Sequence, residues 1–176
     1  MIIASVVSKT QAEDLLTKTK GLLSPRRDLV KIELIYLPVY LFALKLEDKR
    51  GRLLAERISV DGIRGEFAFF KDINYDSSPP EIKNRFDFSL AEEEARKIAK
   101  REYQRILFKD NLKTRNDVKI TEFGMGEKIY YPYWVGYFKR KNAYDFNLID
   151  AVDGGKQGMK MRPVFMDLLL QSSDKQ

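Results

Sequence analysis

The chain of 176 residues has no cysteine and no histidine. Without cysteine, a disulfide scaffold and a thiolate metal site are excluded. Without histidine, the commonest general base and the commonest metal ligand are gone, and neither a Ser-His-Asp nor a Cys-His nucleophile system can be assembled. No stretch approaches the roughly 20 apolar residues of a membrane span. The opening run Met1-Ile2-Ile3-Ala4-Ser5-Val6-Val7 lacks the basic flank and the length of a signal peptide, so the expected compartment is the cytoplasm. A phosphate-cradling loop is missing too, because Gly124-Met125-Gly126 is not followed by the Gly, Lys and Ser/Thr that give such a loop its function. Catalysis here would rest on Asp, Glu, Lys or Tyr alone, and the sequence assigns no catalytic residue, no metal ligand and no cofactor.

What is present suits a packed globule. Hydrophobic residues make up 44% of the chain and charged residues 33%, a balance that favours folding over disorder. The net charge is +6. Lys and Arg outnumber Asp and Glu modestly on both sides of residue 89, with no dense basic tail. Such a surface tolerates an anionic partner without requiring one.

The elements follow from periodicity and punctuation. Thr10 with Glu13 forms a capping box ahead of a helix over about 10–23, which Ser24-Pro25 ends. Val30 to Leu46 is rich in β-branched and aromatic residues and reads as strand, with Pro38 confined to an edge or a bulge. A polar turn at 47–52 leads into a return strand, Leu53 to Val60, and a short strand, Glu66 to Phe70. Ser89 with Glu92 makes a second capping box, for a helix over about 89–108. Its charges suit the helix dipole, and Glu92–Arg96 and Glu93–Lys97 are spaced as ion pairs on a solvated face. Strands follow around 118–120, 129–138 and 144–151. A last strand is expected at 159–164, and Phe165 to Leu170 fits helix or strand.

The second half repeats the first. Thr10 and Ser89 lie 79 residues apart, Val30 and Val118 88, and Pro38 and Pro132 94. Asp61 maps either to Asp150, 89 residues on, or to Asp153, 92 residues on. Four matches in one order point to duplication. A lone helix on a three-stranded meander has a small core, and two copies can bury each other's apolar faces. The expected architecture is α+β, with two tandem helix-plus-antiparallel-meander units over 1–76 and 89–170, a linker at 77–88 and a polar tail at 171–176.

The turns that close the two meanders carry a family resemblance. Ile149-Asp150-Ala151-Val152-Asp153-Gly154 resembles the end of a PepSY-type module, in which an Ala-rich capped helix leads into antiparallel strands and a Val-Asp-Ala-x-Thr-Gly turn. Asp150, Ala151 and Gly154 match that pattern, and Asp153 stands where Thr is usual. In the first half Val60, Asp61 and Gly65 match, and Gly62 replaces Ala. The resemblance covers roughly 8–70 and 87–161. It implies a cystatin-like helix on an antiparallel sheet, in a family whose modules are often extracytoplasmic and sit in some protease propeptides. It implies no catalytic residues.

The candidate sites cluster near the aromatic strand. Tyr131, Tyr133, Trp134 and Tyr137 could form a platform for a peptide, a protein or a second copy of the chain. Both faces of that strand are apolar, so a sheet core covered on two sides accounts for the same residues. Lys139 and Arg140, with Lys141, could hold the phosphates of a single-stranded nucleic acid beside those rings, or simply form a solvated hairpin tip. Asp61, Asp145, Asp150 and Asp153 could serve a hard cation, but their spacing fits no EF-hand loop and suits turns better. The expected function is a non-enzymatic binding module using the aromatic sheet surface. The alternative is a basic single-stranded nucleic-acid binder, and an enzyme ranks third.

Overall fold

The structure, a computed structural model, describes residues 1–18, 28–70, 85–140, 143–158 and 161–173, with side chains for all of these except 140, 143, 144 and 169–173. The fold is α+β and mostly sheet. In chain order it runs α1 (Lys9–Thr17), β1 (Leu29–Glu47), β2 (Leu53–Asp61), β3 (Phe67–Phe69), α2 (Glu92–Thr114), β4 (Lys119–Phe123), β5 (Glu127–Arg140), β6 (Ala143–Asp150), β7 (Lys156–Gln157) and α3 (Met161–Ser173). The seven strands form one sheet in the order β3-β2-β1-β5-β6-β7, with β4 also paired to β1.

The chain divides into two compact units, one built from the middle of the sequence and the other from its two ends. One comprises Met1, Pro38–Asn74 and Asp87–Ile129; the other comprises Ile2–Leu37, Tyr75–Phe86 and Tyr130–Gln176. The first unit therefore carries α2, and the second carries α1. α2 packs chiefly on β1 and β2, which precede it, with β4 alongside, and α1 packs on β5 and β6 as well as on the start of β1.

In the first unit, β1 and β2 pair from Val39↔Asp61 to Glu47↔Leu53. Pro38, which has no N–H for a ladder, sits one residue outside this register and uses its carbonyl instead, accepting from Gly62 N at 2.7 Å. The far end is tied by Asp48, whose carboxylate accepts from Arg50 N, Arg52 N and Arg52 Nε. The core joins Tyr40, Phe42, Leu44 and Leu46 of β1 and Ile58 and Val60 of β2 to Ala95, Ala99 and Tyr103 of α2. Small residues at the helix contact let it lie close to a strand that presents large ones.

In the second unit, β5 and β6 pair from Tyr133↔Asp150 to Arg140↔Ala143. Pro132 again stands one residue outside, accepting from Ala151 N at 3.2 Å. Here α1 supplies Ala12 and Leu16 to a core with Trp134, Phe138, Ile149 and Ala151. At one point the strand gives way to the helix: a Cβ on Gly136 would lie 2.7 Å from Leu16 Cδ1.

Several local expectations need correction. The first capping box is Ser8 with Gln11, not Thr10 with Glu13. The second does not form: the N-cap of α2 is Ala91, with no side-chain cap. Ser89 N and Leu90 N both donate to Gly62 O, at 2.9 and 2.8 Å, which holds this stretch extended and delays the helix. That helix runs on to Thr114 and stops at Arg115, which has φ 54°. Arg96 does not pair with Glu92; its guanidinium donates to the carbonyls of Phe123 and Gly124. Met161 onward is helix rather than strand, with Pro163 tolerated in the first turn. Residues 77–84 of the expected linker over 77–88, and the end of the tail at 174–176, fall outside the described residues.

Candidate functional site

The aromatic strand β5 is covered on both faces. On one, Trp134 is 8% exposed, and its indole Nε1 donates to Val7 O at 2.8 Å. On the other, the Tyr133 ring is met edge-on by Phe165 of α3, with centroids 5.6 Å apart, and Val164, Phe165 and Leu168 are all buried. Tyr131 is half-buried and donates its hydroxyl to both carboxylate oxygens of Asp150, at 3.1 and 2.9 Å. Burial first, and the Asp150 charge second, push its pKa far up. Burial also raises Asp150, against the lowering pull of Val152 N and the Tyr131 hydroxyl. Tyr137 is half-buried; burial and then Glu33 raise it, and Lys31 Nζ lies 5.9 Å from its ring. Lys139 is exposed, and the side chain of Arg140 falls outside the described residues. Tyr131, Tyr133 and Trp134 thus do not present one open platform: each is turned into packing or a carboxylate.

The acidic residues serve turns. Asp61 Oδ1 accepts from Ile63 N and Arg64 N at 3.0 and 2.8 Å, and its Oδ2 accepts from Glu66 N. Asp150 Oδ1 accepts from Val152 N and Asp153 N at 2.8 and 3.3 Å. Asp153 bonds Gly155 N, and Asp145 engages Arg162. Among the described residues no group of three or more acidic side chains is placed to hold a metal ion. Described residues of the second unit border shallow hollows, these two among them. The larger, about 400 Å³, is bordered by Val6, Gln11, Asp14, Lys18, Asp153 and Gly154; the smaller, about 200 Å³, lies beside Phe146 and Arg162.

The surface with the clearest chemical character lies elsewhere, on the outer face of α2. Ala95, Ala99 and Tyr103 turn inward, so residues half a turn away face water. Among these are Phe108, 66% exposed, and Leu112, 67% exposed. Four residues apart, they are neighbours on the helix surface. From Arg96 to Arg115 the chain carries eight basic residues and two acidic ones. Lys97, Lys100, Arg101, Arg105, Lys109 and Lys113 are all exposed. Arg101 and Arg105 share Glu102, at 3.3 and 2.6 Å. The four lysines make no ion pair among the described residues. Sequence reasoning treated these charges as solvation. The missed signal was Phe108 and Leu112, which fall off the apolar stripe of an otherwise regular helix.

No family model, curated protein or solved structure matches the chain.

Proposed function

We propose that the chain is a non-enzymatic interaction module made of two tandem PepSY-like units that have exchanged helices, and that its partner docks on the outer face of α2. The duplication is supported by hydrogen bonds that recur in the two units, each element keeping its own offset. Tyr40 donates its hydroxyl to Leu90 O at 2.8 Å, and Trp134, 94 residues on, donates its indole to Val7 O, 83 residues back, at 2.8 Å. Ser89 N and Leu90 N donate to Gly62 O, while Val6 N and Val7 N donate to Ala151 O. Gly65 N reaches Asp61 O, and Gly154 N reaches Asp150 O. Both glycines have positive φ, 81° and 76°, a backbone region that other residues enter at a cost. These pairs favour the 89-residue offset, Asp61 with Asp150, over the alternative.

The binding reading rests on one observation: Phe108 and Leu112 stand two-thirds exposed amid unpaired lysines. Apolar side chains that contribute nothing to the core can be removed at little cost. Phe108→Ser with Leu112→Ser is therefore expected to change stability by less than roughly 1 kcal/mol, since isolated surface changes stay near ±0.5 kcal/mol each. A denaturant midpoint that drops by several times this amount would mean the pair is structural, and the docking role would be lost. The basic flanks oppose pairing of this face with its own copy, so self-association through it is disfavoured.

A further inference from the structure

We propose that the outer face of α2 docks on an anionic lipid surface; this rests on the assignment of that face as the docking face. The helix is 23 residues long, about 35 Å at 1.5 Å per residue. Ala95, Ala99 and Tyr103 hold it on its inner side against the first unit's sheet, which leaves the opposite side outward. Lys97, Arg101, Arg105, Phe108 and Leu112 fall at spacings of four, four, three and four, which places them on one stripe. Lys100 and Lys109 flank the stripe on opposite sides. An apolar pair bordered by long basic side chains is the arrangement that an interfacial helix uses: the rings and branched chains enter the acyl boundary while the ammonium groups remain at the phosphates.

The charge distribution favours an anionic surface. Lys97, Lys100, Lys109 and Lys113 have no acidic partner among the described residues, so their charges remain available to an external anion. Glu102, beside the stripe, is already held by Arg101 and Arg105, and the acidic residues that continue the stripe, Glu93 and Glu94, lie in the first turn of the helix, away from Phe108 and Leu112. Each exposed cation adds an attraction that falls off within a Debye length. A nucleic-acid backbone would use the same cations. It would leave Leu112 against hydrated phosphates, gaining nothing from the exposed aliphatic chain, and for that reason a lipid surface fits better. No helix among the described residues is long and apolar enough to cross a membrane, so the contact is peripheral.

The test is co-sedimentation of the full chain with phosphatidylcholine vesicles, with and without 30% phosphatidylglycerol. A fluorescein-labelled single-stranded DNA 20-mer is titrated in parallel. Binding is expected to the anionic vesicles only, weakening as salt is raised. Phe108→Ser with Leu112→Ser should weaken it about tenfold or more, and Lys97→Gln with Lys109→Gln should reduce both affinity and salt response. Trp134 emission, unchanged in the variants, certifies the fold. If the double serine variant does not fold, the indole introduced by Phe108→Trp provides the second readout, with a blue shift expected on anionic vesicles alone. Absence of binding, equal binding to neutral vesicles, or wild-type binding by the α2 variants overturns the lipid proposal. If the 20-mer binds instead and the α2 variants abolish that binding, the lipid proposal falls and the docking face stands. If the α2 variants alter neither, both fall.

Discussion

At the scale of single residues, two of the tyrosines that looked like contact points, Tyr131 and Tyr137, are proton-holding groups beside carboxylates, as is Tyr103. Tyr103 donates to Glu56, Tyr131 to Asp150, and Tyr137 is raised by burial and by Glu33. In each, burial is the leading cause of a raised pKa. The unfolded chain would release these phenol protons near pH 10 while the folded chain keeps them. Stability from these groups is therefore complete below about pH 10 and is lost as pH climbs toward the folded values. Thermal unfolding followed between pH 9 and 11.5 should show a falling midpoint, and Tyr131→Phe should flatten that fall. An equal slope in wild type and variant would show that Tyr131 ionises freely. Asp48 has the opposite sign. The Arg52 backbone N–H is the leading cause of its lowered pKa, so its contribution is present above the ordinary carboxylate range and is lost as acid protonates it.

At the scale of elements, the turn after each meander and the helix over it act as a unit. Gly65 and Gly154 hold left-handed backbone in equivalent turns. Alanine at such a position costs about 1 kcal/mol or more. Gly65→Ala should cost more than Gly154→Ala, because the new Cβ would lie 2.6 Å from Ile98 Cδ1 in the first case and 3.3 Å from Leu15 Cδ1 in the second. Chemical denaturation of both variants checks the order. Much at this scale was legible: β2, β3, β5 and β6 fall where alternation and turn residues put them. The helix starts were not. Ser8-x-x-Gln11 and Thr10-x-x-Glu13 are both capping boxes by composition, and only the contacts of the preceding chain choose between them. Ser89 has the right residue type for a cap, but its N–H is engaged by Gly62 across the fold, which a local pattern does not contain. The run at 165–170 was ambiguous because an apolar stretch of six residues fits either period.

At the scale of the molecule, α1 and α2 each pack on strands drawn largely from the other half of the sequence. Periodicity reveals that a helix has an apolar face; it does not reveal which sheet that face covers, since either arrangement buries the same side chains. The aromatic strand illustrates the same limit. Two apolar faces on β5 were evident in the residues, and the structure supplies their covers, α1 on the Trp134 face and Phe165 of α3 on the Tyr133 face. Leu16→Ala should therefore destabilise the chain by about 2–4 kcal/mol and shift Trp134 emission to the red, although the two residues are 118 positions apart. Unchanged emission in a folded Leu16→Ala protein would separate α1 from the strand.

The most direct test is hydrogen exchange at the Trp134 indole, read as the single indole N–H resonance of the ¹⁵N-labelled chain. A slowly exchanging signal, independent of protein concentration and unmoved by anionic vesicles or oligonucleotide, is expected if the strand is core, bonded to Val7 O, and binding occurs on α2. A rapidly exchanging indole, or one that becomes protected only when a partner is added, would return the binding surface to β5 and contradict the assignment made to α2.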